Sequence, residues 1–232
     1  HAFLPHKFVD HSHSNAILSL IDQPNPEKIC KHVFGDEMGI VPYIMPGFEL
    51  AKKASEVFDK NPNVKGLILL NHGIFTFANN AKESYERMIK YITKAEKELT
   101  KKSKFIRVSK YVEKKISISE VSNLIRQQIA NKRGDDFERK VVHFNKPKFF
   151  DELFSHPNLK KFTNEGPVTP DHVIRIKSKP LIIDLSKEKS NDLEKFIIQS
   201  IESFKENYKK YFKRNHKYNY SASMLDPYPR LI

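Results

Sequence analysis

The run from Val64 to Phe77 constrains the fold of this 232-residue chain more than any other stretch. Val64–Lys65–Gly66–Leu67–Ile68–Leu69–Leu70 reads as its most deeply buried segment, and Ile74–Phe75–Thr76–Phe77 follows after the corner Asn71–His72–Gly73. Two apolar strands broken by a polar, glycine-containing corner predict a hairpin or two successive strands of one sheet. The corner sets His72 where a core strand ends, a usual place for a ligand. Gly73 lets the backbone pass with no Cβ beside whatever His72 holds.

A second feature lies 61 residues earlier, in Phe8–Val9–Asp10–His11–Ser12–His13–Ser14–Asn15. In a strand, alternate side chains share a face, so His11 and His13 point one way and Asp10 and Ser12 the other. Two imidazoles on one face can share a divalent cation such as Zn²⁺. Surface loops produce a His-x-His by chance, and a bound ion needs a third ligand. Convergence on one ion would bring ring nitrogens to about 3–3.5 Å of one another, given zinc–nitrogen bonds of roughly 2.0–2.1 Å.

Around these two features the pattern predicts alternating helices and strands. Asn15–Ile21 reads as a short helix ended by Gln23–Pro24–Asn25–Pro26, and Glu27–Phe34 as a second one stopped at Gly35. Gly39–Ile44 is strand-like, with Pro42 arguing for an edge position or a bulge. Phe48–Phe58 and Lys82–Lys101 are amphipathic helices, the latter capped by Asn79 or Asn80. Its stripe Tyr85, Met88, Ile89, Ile92, Ala95 and Leu99 reads as core. Beyond Ser103 the texture changes. Helices are expected over Ser119–Lys132 (closed by Gly134), Lys148–Phe154 and Asp192–Phe212, and strands over Arg139–Val142 and Pro180–Asp184. Thr169 can cap a short helix that starts at Pro170.

The formal net charge of +13 raises the question of nucleic acid. Residues 1–78 hold 7 Lys/Arg against 8 Asp/Glu, so the positive excess lies in the rest of the chain. It is scattered there as doublets such as Lys101–Lys102, Lys160–Lys161 and Lys209–Lys210, with no zinc finger, helix-turn-helix or aromatic RNA-binding motif. A solvated lysine surface accounts for it, and no nucleic-acid partner is expected. No apolar run approaches the roughly 20 residues of a membrane helix, so no membrane partner is expected either. The one cysteine, Cys30, excludes an internal disulfide and fits a reducing, cytoplasmic location. It reads as a buried small hydrophobe in a helix. The abrupt start at His1–Ala2–Phe3–Leu4–Pro5 has no signal-peptide features and suggests a piece of something longer.

Taken together, His11-x-His13 and the later Asn71–His72–Gly73 resemble the class II (zinc-dependent) aldolase/adducin family, whose metal is held by a His-x-His pair and a histidine in a His-Gly corner. Phe8–Val9–Asp10–His11 and Gly166–Pro167–Val168–Thr169–Pro170–Asp171–His172–Val173–Ile174–Arg175 are similar to its long two-part members. Those join an aldolase domain to a short-chain dehydrogenase domain, as in rhamnulose-1-phosphate aldolase/alcohol dehydrogenases. The resemblance implies an α/β fold, three-layer α/β/α with a largely antiparallel central sheet, truncated at its N-terminus. Residues 1–102 would be the metal-binding core, and residues 103–232 an extension leading toward a dehydrogenase domain. It further implies that His11, His13 and His72 hold Zn²⁺ or another divalent cation. The implied reaction is retro-aldol cleavage of a sugar-phosphate substrate, a ketose 1-phosphate, to dihydroxyacetone phosphate and an aldehyde, in a homo-oligomer.

Departures from the family pattern are equally specific. Its general acid/base glutamate and its Gly/Ser phosphate-binding turns would precede His1, so no catalytic acid/base is assigned within these residues, and the fragment alone is expected to be inactive. Some members carry a catalytic tyrosine between the second and third ligands; Tyr43 lies in that region, in different local sequence. Sugar-phosphate epimerases use the same metal site, and adducin-like members lose the histidines and serve assembly. The remaining histidines carry no ligand spacing: His1 and His6 read as exposed or packing residues, and His32 with Cys30 is no zinc motif. His143, His156 and His216 lack partners. His172 and Arg175 could meet an anion, but a hinge between domains is the simpler role.

Overall fold

Alternation of apolar residues in three neighbouring strands shapes the first part of the chain. The computed structural model describes residues 3–102, 117–133, 136–145, 153–185 and 192–232. Strands β1 (Phe8–Ser12), β2 (Met38–Val41), β3 (Gly66–Leu69) and β4 (Gly73–Ala78) form one sheet in the order β1-β4-β3-β2. β1 and β3 flank β4 antiparallel, whereas β2 runs parallel to β3. The sheet is therefore mixed, and the largely antiparallel expectation holds for two of its three pairings. The cause is the connection: a parallel neighbour needs a crossover of a dozen residues or more, and helix α3 (Phe48–Lys60) supplies it. Pro42 falls just beyond β2, which is an edge strand, where a missing N–H costs no ladder bond.

Each strand sends alternate residues to opposite faces. On one face Met38, Ile68 and Ile74 pack with α1 (Asn15–Ile21), α2 (Pro26–Phe34) and α4 (Ala81–Lys102) through Ile17, Leu18, Phe34, Met88 and Tyr91. On the other, Val41, Leu67, Leu69 and Phe77 pack against Leu50 and Phe58 of α3. Helices thus cover both faces, giving three α/β/α layers. Gly39 and Gly66 are required by close approach: a Cβ on Gly66 would sit 2.3 Å from the carbonyl oxygen of Phe75, and one on Gly39 would sit 2.7 Å from Leu67.

The helix α4 begins where expected, with Asn80 Oδ1 accepting from the N–H groups of Lys82 (2.9 Å) and Glu83 (3.3 Å). Its buried stripe is Ser84, Met88, Tyr91, Ala95 and Glu98, a quarter-turn away from the expected one. Tyr85 (61% exposed) and Ile89 (45%) lie at the solvent edge instead. The pairing of Ser84 with the buried Thr76 explains the shift: Thr76 Oγ1 donates to the Ser84 carbonyl at 3.0 Å, so two small polar residues meet where the helix crosses β4. Cys30 is buried on α2, and burial pushes its thiol up to about 12, away from thiolate chemistry.

Residues 1–106 with 168–171 pack as one unit, and residues 107–167 with 172–232 as another. In the second unit α5 (Ile118–Gln128) and α8 (Leu193–His216) bury Ile125, Ile129, Ile197 and Ile201 together with Leu181. Ser117 caps α5 by accepting from Glu120 N–H. The helix stops at Gln128, and residues 131–133 and 136–138 pair instead as the two short strands β5 and β6, so Lys132 is not helical. Arg139–Val142 and Pro180–Asp184 are irregular, not strands. Leu181 N–H donates to the Leu231 carbonyl at 2.9 Å, a single bond without a ladder. Short helices α6 (Leu159–Asn164) and α7 (Pro170–Ile176) complete the order; the expected Lys148–Phe154 helix lies largely outside the described residues. Among the described residues, no helix is long and apolar enough to cross a membrane.

Candidate metal centre

Three separate backbone devices bring histidines together at one end of the sheet. His11 sits in β1 opposite Phe75 of β4, and its ring stacks on that phenyl at 4.2 Å. The same register pairs Asp10 with Thr76, on the other face. His13 lies just past the end of β1. His72 rides on the tight β3–β4 corner, where its N–H donates to the Leu69 carbonyl at 3.1 Å. Asn71 before it takes a left-handed conformation (φ 55°), and its side-chain amide donates to Asp22 Oδ1 at 3.0 Å. Asp22 ends α1, so the corner is tied to the helix layer. Gly73 is fixed by crowding: a Cβ there would lie 2.5 Å from the Ser12 carbonyl oxygen and 3.0–3.2 Å from the rings of His13 and His11.

The ring centroids stand 4.7 Å (His11–His13), 5.1 Å (His11–His72) and 5.0 Å (His13–His72) apart. One nitrogen from each lies within 4.8 Å of the others. Tautomers follow from the partners. A carbonyl and a carboxylate can only accept, so His11 Nδ1–H donates to the Ile74 carbonyl (2.9 Å) and His13 Nδ1–H donates to Asp171 Oδ2 (2.6 Å). The two Nε2 atoms face each other across 3.0 Å. That separation is stable only with a cation, a proton or a metal ion, between them. His72 adds a buried Nδ1 that has no hydrogen-bond partner among the described residues.

Burial disfavours protonation of two of the three rings. Burial lowers the pKa of His11, and the neighbouring His13 and His72 lower it further, against the Ile74 carbonyl bond and Asp171. Burial also lowers that of His72, with His13 adding to it and Asp171 opposing. Neutral imidazole is the form that ligates a metal. The donor set, three nitrogens with one side open, fits a borderline cation such as Zn²⁺.

The other histidines do other work. His6 stacks on Phe77 at 4.4 Å and packs edge-on to Phe58. His32 faces Glu98 at 3.7 Å. His156 Nδ1 accepts from Asn158 N–H, and His216 packs on Phe212 and Tyr220. His143, His172 and Arg175 are exposed, and His1 lies outside the described residues. Tyr43 is 58% exposed. Two contributors were missed from sequence, Asp171 and the Asp22–Asn71 clamp. Asp171 stands 158 residues from His13, and no local pattern links them.

Residues 1–99 match the family described as class II aldolase and adducin N-terminal domain, and residues 117–232 match the one described as aldolase class II, second domain. The chain belongs to the class II aldolase/adducin family. A Bacillus subtilis (strain 168) relative named "Uncharacterized oxidoreductase YuxG" is 28% identical over 237 residues, across 93% of this chain and 32% of that protein. The chain thus spans about a third of that relative's length. The N-terminal class II aldolase domain of a conserved protein from Thermoplasma acidophilum is 40% identical, with 43% of this chain and 45% of that one covered and a TM-score of 0.39. Family membership agrees with the resemblance read from the histidine pattern.

Proposed function

We propose that this chain is the metal-binding part of a class II aldolase that cleaves a ketose 1-phosphate, of the rhamnulose-1-phosphate type, into dihydroxyacetone phosphate and an aldehyde. The observation that carries the reading is the convergence of His11, His13 and His72, two of them held as Nε2 ligands by the hydrogen bonds on their Nδ1 atoms. A divalent cation bound there supplies Lewis acidity to the oxygens of a hydroxy-carbonyl substrate. The protein's part is to favour the neutral form of His11 and His72 by burial, and to fix the ring directions through Ile74, Asp171 and the Asp22–Asn71 clamp. Asp10 is turned to the other face of β1 and is no proton carrier for this site. Retention of all three histidines argues against an adducin-like assembly role. The oxidoreductase name of the longer relative suggests a tandem in which a dehydrogenase consumes the aldehyde. Homo-oligomerisation belongs to the same proposal.

Elemental analysis of the purified protein tests it. One divalent metal per chain in the wild type, lost in His13→Ala together with dihydroxyacetone phosphate release from a ketose 1-phosphate by the full-length protein, is the expected result. Unchanged metal content in His13→Ala would falsify the assignment.

A further inference from the structure

We propose that Asp171 is a positioning residue of the metal centre, which locks His13 in the tautomer that presents Nε2 and strengthens that nitrogen as a donor. The inference rests on the metal reading above. His11 and His13 differ in how they are held. His11 stands inside the β1–β4 ladder, takes its direction from the register and donates to a main-chain carbonyl of the same sheet. His13 lies one residue beyond β1, where the ladder no longer sets its side chain. Its fixed point is the 2.6 Å bond to Asp171 Oδ2.

Asp171 sits in the first turn of α7, within the stretch matching the second-domain family, yet Val168–Asp171 packs with the first unit. Its carboxylate is not part of the converging group. It reaches the outer nitrogen of His13, not the cavity between the rings. A carboxylate on that nitrogen raises the basicity of the imidazole and fixes its orientation, which is how partners of ligating histidines act in metal sites generally. The pair adds little to folding, because Asp171 is 59% exposed and exposed ion pairs contribute next to nothing to stability. Metal affinity should therefore move while stability stays.

The experiment is a Co²⁺ titration of the metal-free full chain, followed by the visible d–d absorption, beside urea unfolding of each metal-free protein. Asp171→Ala should weaken Co²⁺ binding by about 10–100-fold. Asp171→Asn, which keeps an acceptor oxygen but no charge, should fall between it and the wild type and shift the d–d bands. Both should unfold at the wild-type midpoint. Affinity within twofold of wild type in both variants, while His13→Ala loses binding, would overturn the positioning role and leave the metal centre standing. A wild type that binds no Co²⁺ would remove the metal centre and this role together. Should Asp171→Ala not fold, the isosteric Asp171→Asn and imidazole ¹⁵N shifts of the Zn²⁺-loaded wild type decide: His13 ligated through Nε2 supports the proposal, and through Nδ1 overturns it.

Discussion

The two units of this chain hold their side chains by different means. In the first, strand alternation delivers residues to two covered faces, and the buried polar pair Thr76 and Ser84 satisfies itself across the β4–α4 contact. In the second, two helices close over Leu181 and Ile183 from an irregular segment, and a charged side chain is buried: Lys177 Nζ donates to the Tyr228 carbonyl at 2.6 Å, with Asp226 at 3.9 Å. Burial lowers the pKa of Lys177, against the pull of Asp226. A ladder fixes direction at every rung, as it does for His11 opposite Phe75. Irregular backbone fixes a side chain by one long-range contact at a time.

The largest expected effect tests that contrast in the cores. Leu67 is fully buried in the middle of the sheet, walled by backbone that cannot collapse into a cavity. Leu67→Ala should cost roughly 3–5 kcal/mol, the upper part of the range for such truncations. Ile201 is as deeply buried, but half-buried neighbours such as Phe204 and Tyr228 border it and can move in. Ile201→Ala should cost about 2–3 kcal/mol. Urea unfolding of both variants measures the difference; equal costs would break the comparison.

A smaller effect tests how tightly the site end of the sheet is built. Gly73→Ala places a methyl 2.5 Å from the Ser12 carbonyl oxygen, and that backbone belongs to the strand carrying His11. The strands must part, at about 1–3 kcal/mol. Metal affinity should fall with stability, because the same shift moves His11 and His13. A Gly73→Ala protein with wild-type metal affinity would show that the strand contact does not set the site.

How much of this was legible follows the same division. Asn15–Ile21, the Gly73 corner and the Asn80 cap were readable because each is set by neighbours in sequence. The gathering of His11, His13 and His72 was readable only through a family resemblance, since period-2 alternation says nothing about which strands pair. The role of Asp171 was not readable, because its bond to His13 spans 158 residues of sequence. Neither was the parallel β2: a Val/Ile-rich strand looks the same in either direction. The irregular Pro180–Asp184 kept the composition of a strand but found no partner ladder among the described residues, where Leu181 N–H bonds the Leu231 carbonyl. Tyr91 falls outside the apolar stripe read for α4, yet it is fully buried, with Lys90 over its ring at 5.0 Å.

The smallest effect concerns a charge held by geometry within the first unit. Glu37, at the end of the 3₁₀ turn before β2, receives hydrogen bonds from Lys90 at 2.6 Å and Lys94 at 2.5 Å, both on α4. Those bonds draw its carboxyl down to about 2, from an ordinary value of 4.5. A depressed folded-state pKa means stabilisation that is complete above the unfolded value and lost as pH falls through the folded one. Glu37 is 39% exposed, so solvent screening holds the contribution below about 1 kcal/mol. Glu37→Gln should therefore lower stability slightly at pH 7, and the deficit should shrink between pH 4.5 and about 2. It should also shrink in about 1 M salt, where the Debye length falls to roughly 3 Å. Urea midpoints of the two proteins across that pH range and at both salt concentrations measure it. A deficit that persists unchanged at pH 2 would mean that shape, not charge, is what Glu37 contributes between β2 and α4.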